Sequence, residues 1–207
     1  MTLILGFSGR ARHGKSEACE AIAKYVATEV WRPKTGELCT CHTPGIACQR
    51  RATATIYDIG NFVRLYCIGK GRLPAVERKD MTKEQLQVLI DVGKEKRAED
   101  PDYWLKPMFT AIGADQPDVA LIPNLRYWNE VDAVKRANGY VVRVTRMTGT
   151  GADFISPDRN PNDVSETSLY HCWETDFYIT VKDGHAELVR KQAVAIYQYL
   201  SECGRYA

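Results

Sequence analysis

Gly9-Arg10-Ala11-Arg12-His13-Gly14-Lys15-Ser16 reads as GxxxxGK[ST], and it follows directly on the apolar run Leu3-Ile4-Leu5-Gly6-Phe7. Glycines let the backbone N–H groups of such a loop curl around phosphate oxygens. The lysine reaches the terminal phosphates and the closing hydroxyl is a ligand for Mg²⁺. Lys15 and Ser16 take those two roles here. From Glu17 to Trp31, Cys19, Ile22, Val26 and Val30 recur at helical spacing with Pro33 just beyond. A helix over that stretch points its positive end at the bound anion.

A second group of chemically capable residues is Cys39-Thr40-Cys41-His42 with Cys48. Three thiols and an imidazole this close can form a tetrahedral structural Zn²⁺ site, which would staple a short loop that has no core of its own. Their spacing contains no paired CxxC knuckles, so unligated thiols on a loop are the other reading. Gln49-Arg50-Arg51 beside them could meet a nucleic acid or simply be solvated.

The elements that must position these groups follow from periodicity. Residues 32–52 carry Pro33, Gly36, Pro44 and Gly45 and read as a Cys-rich insertion. Thr55-Ile56-Tyr57 is β-prone, and Ile59, Phe62, Val63, Tyr66 and Cys67 then fall at helical spacing. Thr82 to Ala98 is helical, with Thr82 and Gln85 forming a capping box. Val119 to Ile122 suits a strand buried on both faces, Trp128 to Ala137 a helix, and Tyr140 to Val144 a further strand. Thr148 to Asp163, rich in Gly, Pro, Asp and Asn, is expected to be a mobile loop. Phe177 to Val181 closes the strands, and His185 to Cys203 forms the last helix. Alternating strands and helices predict a parallel sheet covered on both faces, with the phosphate loop at the carboxyl end of its first strand.

At 207 residues, one domain is the expectation. Lys plus Arg total 28 against 26 acidic residues, so anion binding must be local and not a property of the whole surface. No window approaches the roughly 20 apolar residues of a membrane span. The expectation is a cytoplasmic protein whose seven cysteines are reduced.

Several segments carry a family likeness beyond the loop. Asp58-Ile59-Gly60-Asn61-Phe62-Val63-Arg64 looks like the acceptor-side helix of nucleoside monophosphate kinases. Gly93 through Arg97 to Tyr103-Trp104, Ile122-Pro123-Asn124-Leu125-Arg126 with Asn129-Glu130, and Asp163-Val164-Ser165-Glu166-Thr167 match further motifs in order. Over most of its length the chain resembles phage-type deoxynucleoside monophosphate kinases of the P-loop group. Asn124 stands where that family usually has Asp, and Lys15-Ser16-Glu17 where phage members commonly show Lys-Asp-Thr.

The resemblance implies an α/β P-loop kinase fold: a five-stranded parallel sheet with helices on both faces, acceptor-binding helices within 53–104 and a mobile lid over 147–165. It implies ATP on Gly9, Arg10, Ala11, Arg12, His13, Gly14, Lys15 and Ser16, with Mg²⁺ on Ser16. Host cytoplasm would be the compartment if the chain is phage-encoded.

Phosphoryl transfer needs converging cations more than covalent help. Lys15, Arg126, Arg146 and Arg159 are the candidates for the group in flight, and Arg64 and Arg97 for the acceptor phosphate. Asp58 is either an N-cap or an acceptor contact. Trp104, like Tyr57 and Tyr103, suits base stacking or core packing, and Asn124 completes the acceptor set. The expected reaction is ATP·Mg²⁺-dependent phosphorylation of a deoxynucleoside 5′-monophosphate, with small nucleotides as partners, no membrane, and a homodimer allowed. Phosphorylation of a hydroxymethylated pyrimidine within DNA, and a nucleotide-regulated module binding nucleic acid or protein, are the competing readings.

Overall fold

Five short apolar segments, each flanked by a helix, assemble into one parallel sheet; the computed structural model describes residues 2–29, 51–157 and 160–203. The strands are β1 (Leu3–Ser8), β2 (Ala54–Ile56), β3 (Val119–Leu125), β4 (Tyr140–Met147) and β5 (Phe177–Lys182), in the order β2-β3-β1-β4-β5. Every pairing is parallel, with Leu5 opposite Leu121 on one side and Tyr140 on the other. The connection leaving β1 runs toward β2, whereas that leaving β4 runs outward to β5. Their carboxyl ends therefore flank a crevice of the kind in which α/β sheets receive ligands.

Alternation along the strands divides the core in two. Leu5, Phe7, Leu121, Val142 and Val144 face α1 (Lys15–Val26) and α7 (Ala186–Cys203), which contribute Cys19, Ile22, Val189 and Tyr197. Ile4, Ala120, Ile122 and Val141 face α2 (Ile59–Gly69), α3 (Lys83–Glu99), α4 (Leu105–Asp115) and α5 (Trp128–Arg136). A residue step of one moves a side chain to the other layer, so the inner strands β1 and β3 are almost wholly buried, while the edge strands β2 and β5 keep one side partly exposed.

Pro123 lies inside β3, an inner strand, where a missing N–H would ordinarily break the ladder. Pairing with β2 has ended at Leu121, and the register with β1 shifts between Gly6 and Ser8. The proline thus sits where the ladder asks least of it.

Three differences from the sequence reading are physical. Helix α1 ends at Val26, five residues short of Trp31; the Thr28 hydroxyl donates to the Tyr25 carbonyl at 2.6 Å and its N–H to the same oxygen at 2.9 Å, closing the helix end. Helix α4 had no counterpart in the expected elements. Leu105, Met108 and Ile112 form its buried stripe, and Pro107 falls in the first turn, where no N–H is needed. The start of the expected loop 148–163 is built as a turn. Thr148 N–H donates to Ala152 at 2.7 Å, and Asp153 bridges back to Met147.

Candidate functional site

Gly9 leaves β1 at φ +133°, and a Cβ there would lie 2.2 Å from the Val144 carbonyl oxygen. Only glycine allows the loop to pass this close to β4. Gly14, at φ +95°, is the N-cap of α1, and no side chain caps that helix. A helix start without a side-chain cap is a place where an anion can be received. Lys15 is 4% exposed, and its Nζ donates to the carbonyls of Gly9 at 2.9 Å and Arg10 at 2.7 Å. The ammonium is held over the mouth of the loop. Ser16 is exposed in the first turn of α1.

His13 is buried beneath the loop. Its Nε2 lies 2.8 Å from the Phe154 carbonyl, and its Nδ1 lies 3.3 Å from the Arg146 N–H and 3.2 Å from the Val144 carbonyl. The neutral tautomer with its proton on Nε2 donates to Phe154 and accepts from Arg146. Burial pushes the imidazole below its ordinary value, with Lys15 adding to the effect.

A narrow cleft with room for about one water, about 10 Å³, opens beside the loop, lined by Arg10, Arg126, Arg143, Glu166 and Tyr170 among others. Arg126 follows β3 and donates through Nη1 to Glu166 Oε1 at 2.6 Å and to the Ser165 carbonyl at 3.1 Å. Glu166 lies in the short helix α6 (Val164–Thr167), and its other oxygen accepts the Ala11 N–H of the phosphate loop at 2.8 Å. Arg10 and Arg143 stand over the Tyr170 ring at 5.5 and 5.4 Å, and Arg143 donates to the Leu169 carbonyl. Three guanidinium groups thus ring a small opening beside the phosphate loop.

A larger groove of about 260 Å³ lies beyond α2, lined by Asp58, Asn61, Arg64, Glu77 and Arg78 with Ile56 and Gly60. Asp58 is the N-cap of α2 and accepts the Gly60 N–H at 2.8 Å; the same oxygen accepts from Asn124 Nδ2 at 3.1 Å. Capping therefore does not exclude Asp58 from the groove. Arg64 is held by the Asn61 side chain and the Val76 carbonyl, and Arg78 lies 3.7 Å from Asp58.

Not every expected site residue joins these two openings. Trp104 is 3% exposed, stacked edge-on against Tyr66 and Tyr103, with Nε1 donating to the Gly93 carbonyl; it packs in the core. Tyr57 is likewise buried, its hydroxyl on Asp115 at 2.9 Å and pushed up to about 12 by burial and that carboxylate. Arg97 reaches buried Glu130 at 3.4 Å and stacks over Tyr127 at 5.0 Å. Burial raises the Glu130 carboxyl, and Arg97 with the N–H groups of Arg126 and Tyr127 opposes that rise. Arg97 therefore braces the turn after β3 from behind. Arg146 pairs with Asp183, donates to the Arg12 carbonyl at 3.2 Å and lies 4.0 Å over the Phe154 ring. It clasps the outside of the loop.

Arg159, and the cluster Cys39, Cys41, His42 and Cys48 with Arg50, lie outside the described residues. Among the described residues no group of three or more His, Cys, Asp or Glu is placed to hold a metal ion. The four described cysteines, Cys19, Cys67, Cys172 and Cys203, are unpaired thiols.

Sequence reasoning gave no role to Glu166, Arg143, Tyr170 or Arg78. Arg143 had a signal, as a single charge within the apolar run of β4. Tyr170 and Arg78 come from loop segments whose approach depends on tertiary folding alone.

No protein-family model matches the chain, and no curated protein matches it. The architecture is that of a generic nucleotide-binding α/β protein of the P-loop or Rossmann-like kind, compatible with an enzyme of the P-loop class. No helix among the described residues is long and apolar enough to cross a membrane.

Proposed function

We propose that the chain transfers the γ-phosphoryl group of ATP to a deoxynucleoside 5′-monophosphate, yielding ADP and the diphosphate. The observation that carries this reading is the end of β3. Within three consecutive residues, Asn124 bonds Asp58 in the α2 groove, Leu125 completes β3 against β1, and Arg126 enters the cleft beside the phosphate loop. Two anion-competent openings thus share one rigid strand end, the arrangement that a donor and an acceptor phosphate would need.

In this reading an acceptor phosphate oxygen attacks the γ-phosphorus while the bond to the β–γ bridging oxygen breaks, and the electron pair leaves with ADP. Lys15 exchanges its loop carbonyls for terminal phosphate oxygens. Arg126 meets the equatorial charge of the group in flight, and its planar fork suits bidentate contact. Arg64 and Arg78 hold the acceptor phosphate, and Asp58 with Asn124 orients the nucleoside. The exposed Ser16 hydroxyl, a hard oxygen at the start of α1, fits Mg²⁺, which supplies charge neutralisation when bound.

The test is an ATP-consumption panel offering each deoxynucleoside monophosphate beside plain and hydroxymethylated DNA, with Lys15→Ala as the control for contaminating kinases. Lys15-dependent turnover of a mononucleotide supports the proposal. Turnover on DNA alone, falling steeply with salt as counterions are released, replaces it with the DNA-base kinase. ATP binding without turnover on any acceptor leaves the nucleotide-regulated module.

A further inference from the structure

Glu166 joins the Gly9–Ser16 loop to the cleft through its two oxygens. Its side chain is 4% exposed, and that of its partner Arg126 18%. Burying a charge is costly unless it is paired and hydrogen-bonded, and both oxygens of Glu166 have partners: Ala11 N–H at 2.8 Å and Arg126 Nη1 at 2.6 Å. The helix carrying it lies at the end of the predicted 147–165 lid. Asp163, which caps that helix on Ser165 N–H at 2.9 Å, also faces Lys94 of α3 at 3.6 Å.

Both bonds from Arg126 to this helix use Nη1, so the other edge of the guanidinium remains for an anion in the cleft. Ala11 is in the loop, Arg126 at the end of β3, and Glu166 at the foot of the segment after β4.

We infer that Glu166 is a positioning residue for phosphoryl transfer: it fixes the orientation of Arg126 and locks the foot of the 147–165 segment to the phosphate loop. The inference rests on the kinase reading for its effect on rate, but the mechanical coupling stands on the contacts themselves. Without the carboxylate charge, Arg126 is free to turn about Nη1, and the loop keeps at most a weaker acceptor at Ala11.

Glu166→Gln preserves shape and a hydrogen-bond acceptor while removing the charge, and Glu166→Asp keeps the charge but withdraws it by one methylene. Each variant should lower kcat by about 10²-fold, the scale of an ångström-level misplacement, and change the KM for ATP less than about threefold. Adding Glu166→Gln to Arg126→Ala should cost much less than about 10²-fold further in kcat, because the carboxylate's effect on rate runs mainly through that arginine while Gln keeps an acceptor for Ala11. Losses that multiply, or a wild-type kcat in both single variants, would overturn the positioning role. A second readout needs no turnover: limited proteolysis between 147 and 165 should be severalfold faster in Glu166→Gln than in wild type under conditions where both are fully folded. Equal cleavage rates would overturn the coupling. If wild-type protein binds ATP but phosphorylates no acceptor, the kinase reading falls, and the proteolysis comparison still judges the coupling.

Discussion

Gly9→Ala tests whether the donor loop depends on the approach seen at β4. The new methyl would sit 2.2 Å from the Val144 carbonyl oxygen, well inside the 3.0 Å that real Cβ atoms essentially never breach, and 3.3 Å from its carbon. No flexible side chain can yield, because the obstacle is β4 backbone, one residue beyond the pairing of Ser8 with Arg143. Gly9 also sits at φ +133°, outside the comfortable range of L-residues. Backbone strain of about 1–3 kcal/mol and overpacking of similar size combine to about 2–6 kcal/mol. Against a typical total of about 5–15 kcal/mol, the domain should still fold, relieving the clash by moving the loop off β4. Urea unfolding with and without ATP·Mg²⁺ measures both consequences. Ligand at 100 times Kd stabilises a binding-competent protein by about 2.7 kcal/mol, a shift the variant should largely lose. Stability within about 0.5 kcal/mol of wild type, with the full ligand shift, would refute the reasoning.

Arg64→Ala should raise the KM for the acceptor at least tenfold more than that for ATP, since only one phosphate loses its partner; equal effects in steady-state kinetics would remove Arg64 from the acceptor site. Trp104→Ala should cost about 3–5 kcal/mol in urea unfolding, as emptied core volume does, and leave acceptor KM unchanged in the folded fraction; a raised KM with little stability loss would restore a stacking role. The lowered His13 value means that the stability from its buried neutral ring is present above the unfolded value of about 6.5 and is lost as pH falls through the lower folded value. Urea midpoints from about pH 7.5 to about pH 5 should therefore decline more steeply in wild type than in His13→Gln, and parallel slopes would remove His13 from the pH response.

The sheet was legible because fully buried parallel strands leave continuous apolar runs, and Val119 to Ile122 and Tyr140 to Val144 are such runs. The loop from Gly9 to Ser16 was legible for another reason: a GxxxxGK[ST] pattern sets residue types at fixed spacing along a single segment. Strand order was open to no such argument, since any of several right-handed windings satisfies the same alternation. Helix α4 carried its signal in Leu105, Met108 and Ile112, but Pro107 masked it, because a proline reads as a break until the helix start is known. Trp104 and Arg97 show the limit on sites. An aromatic or an arginine near a motif looks the same in sequence whether it meets a ligand or, as here, the Gly93 carbonyl and Glu130.

Asn124 brings these strands of argument together. In the resembling family an acid usually occupies this position, and here the amide donates to Asp58, whose oxygen also caps α2. An aspartate would set two carboxylates against each other at that contact, raising the proton affinity of one of them. The amide instead converts the contact into a donor–acceptor pair, with the acid supplied by α2 and not by β3. The groove therefore keeps a negative group beside Arg64 and Arg78, displaced from the strand end to the helix start. Under the proposed kinase reading, such a placement would favour an acceptor with hydrogen-bond donors on its sugar or base, leaving its phosphate to the arginines. Arg126, two residues further along, then enters a cleft in which Glu166 is the only carboxylate among the lining residues, and that carboxylate is already paired. In the proposed kinase reading, Asp58 and Glu77 would face the nucleoside while Arg64, Arg78 and Arg126 would meet the phosphates, a division that transfer between two anions would use.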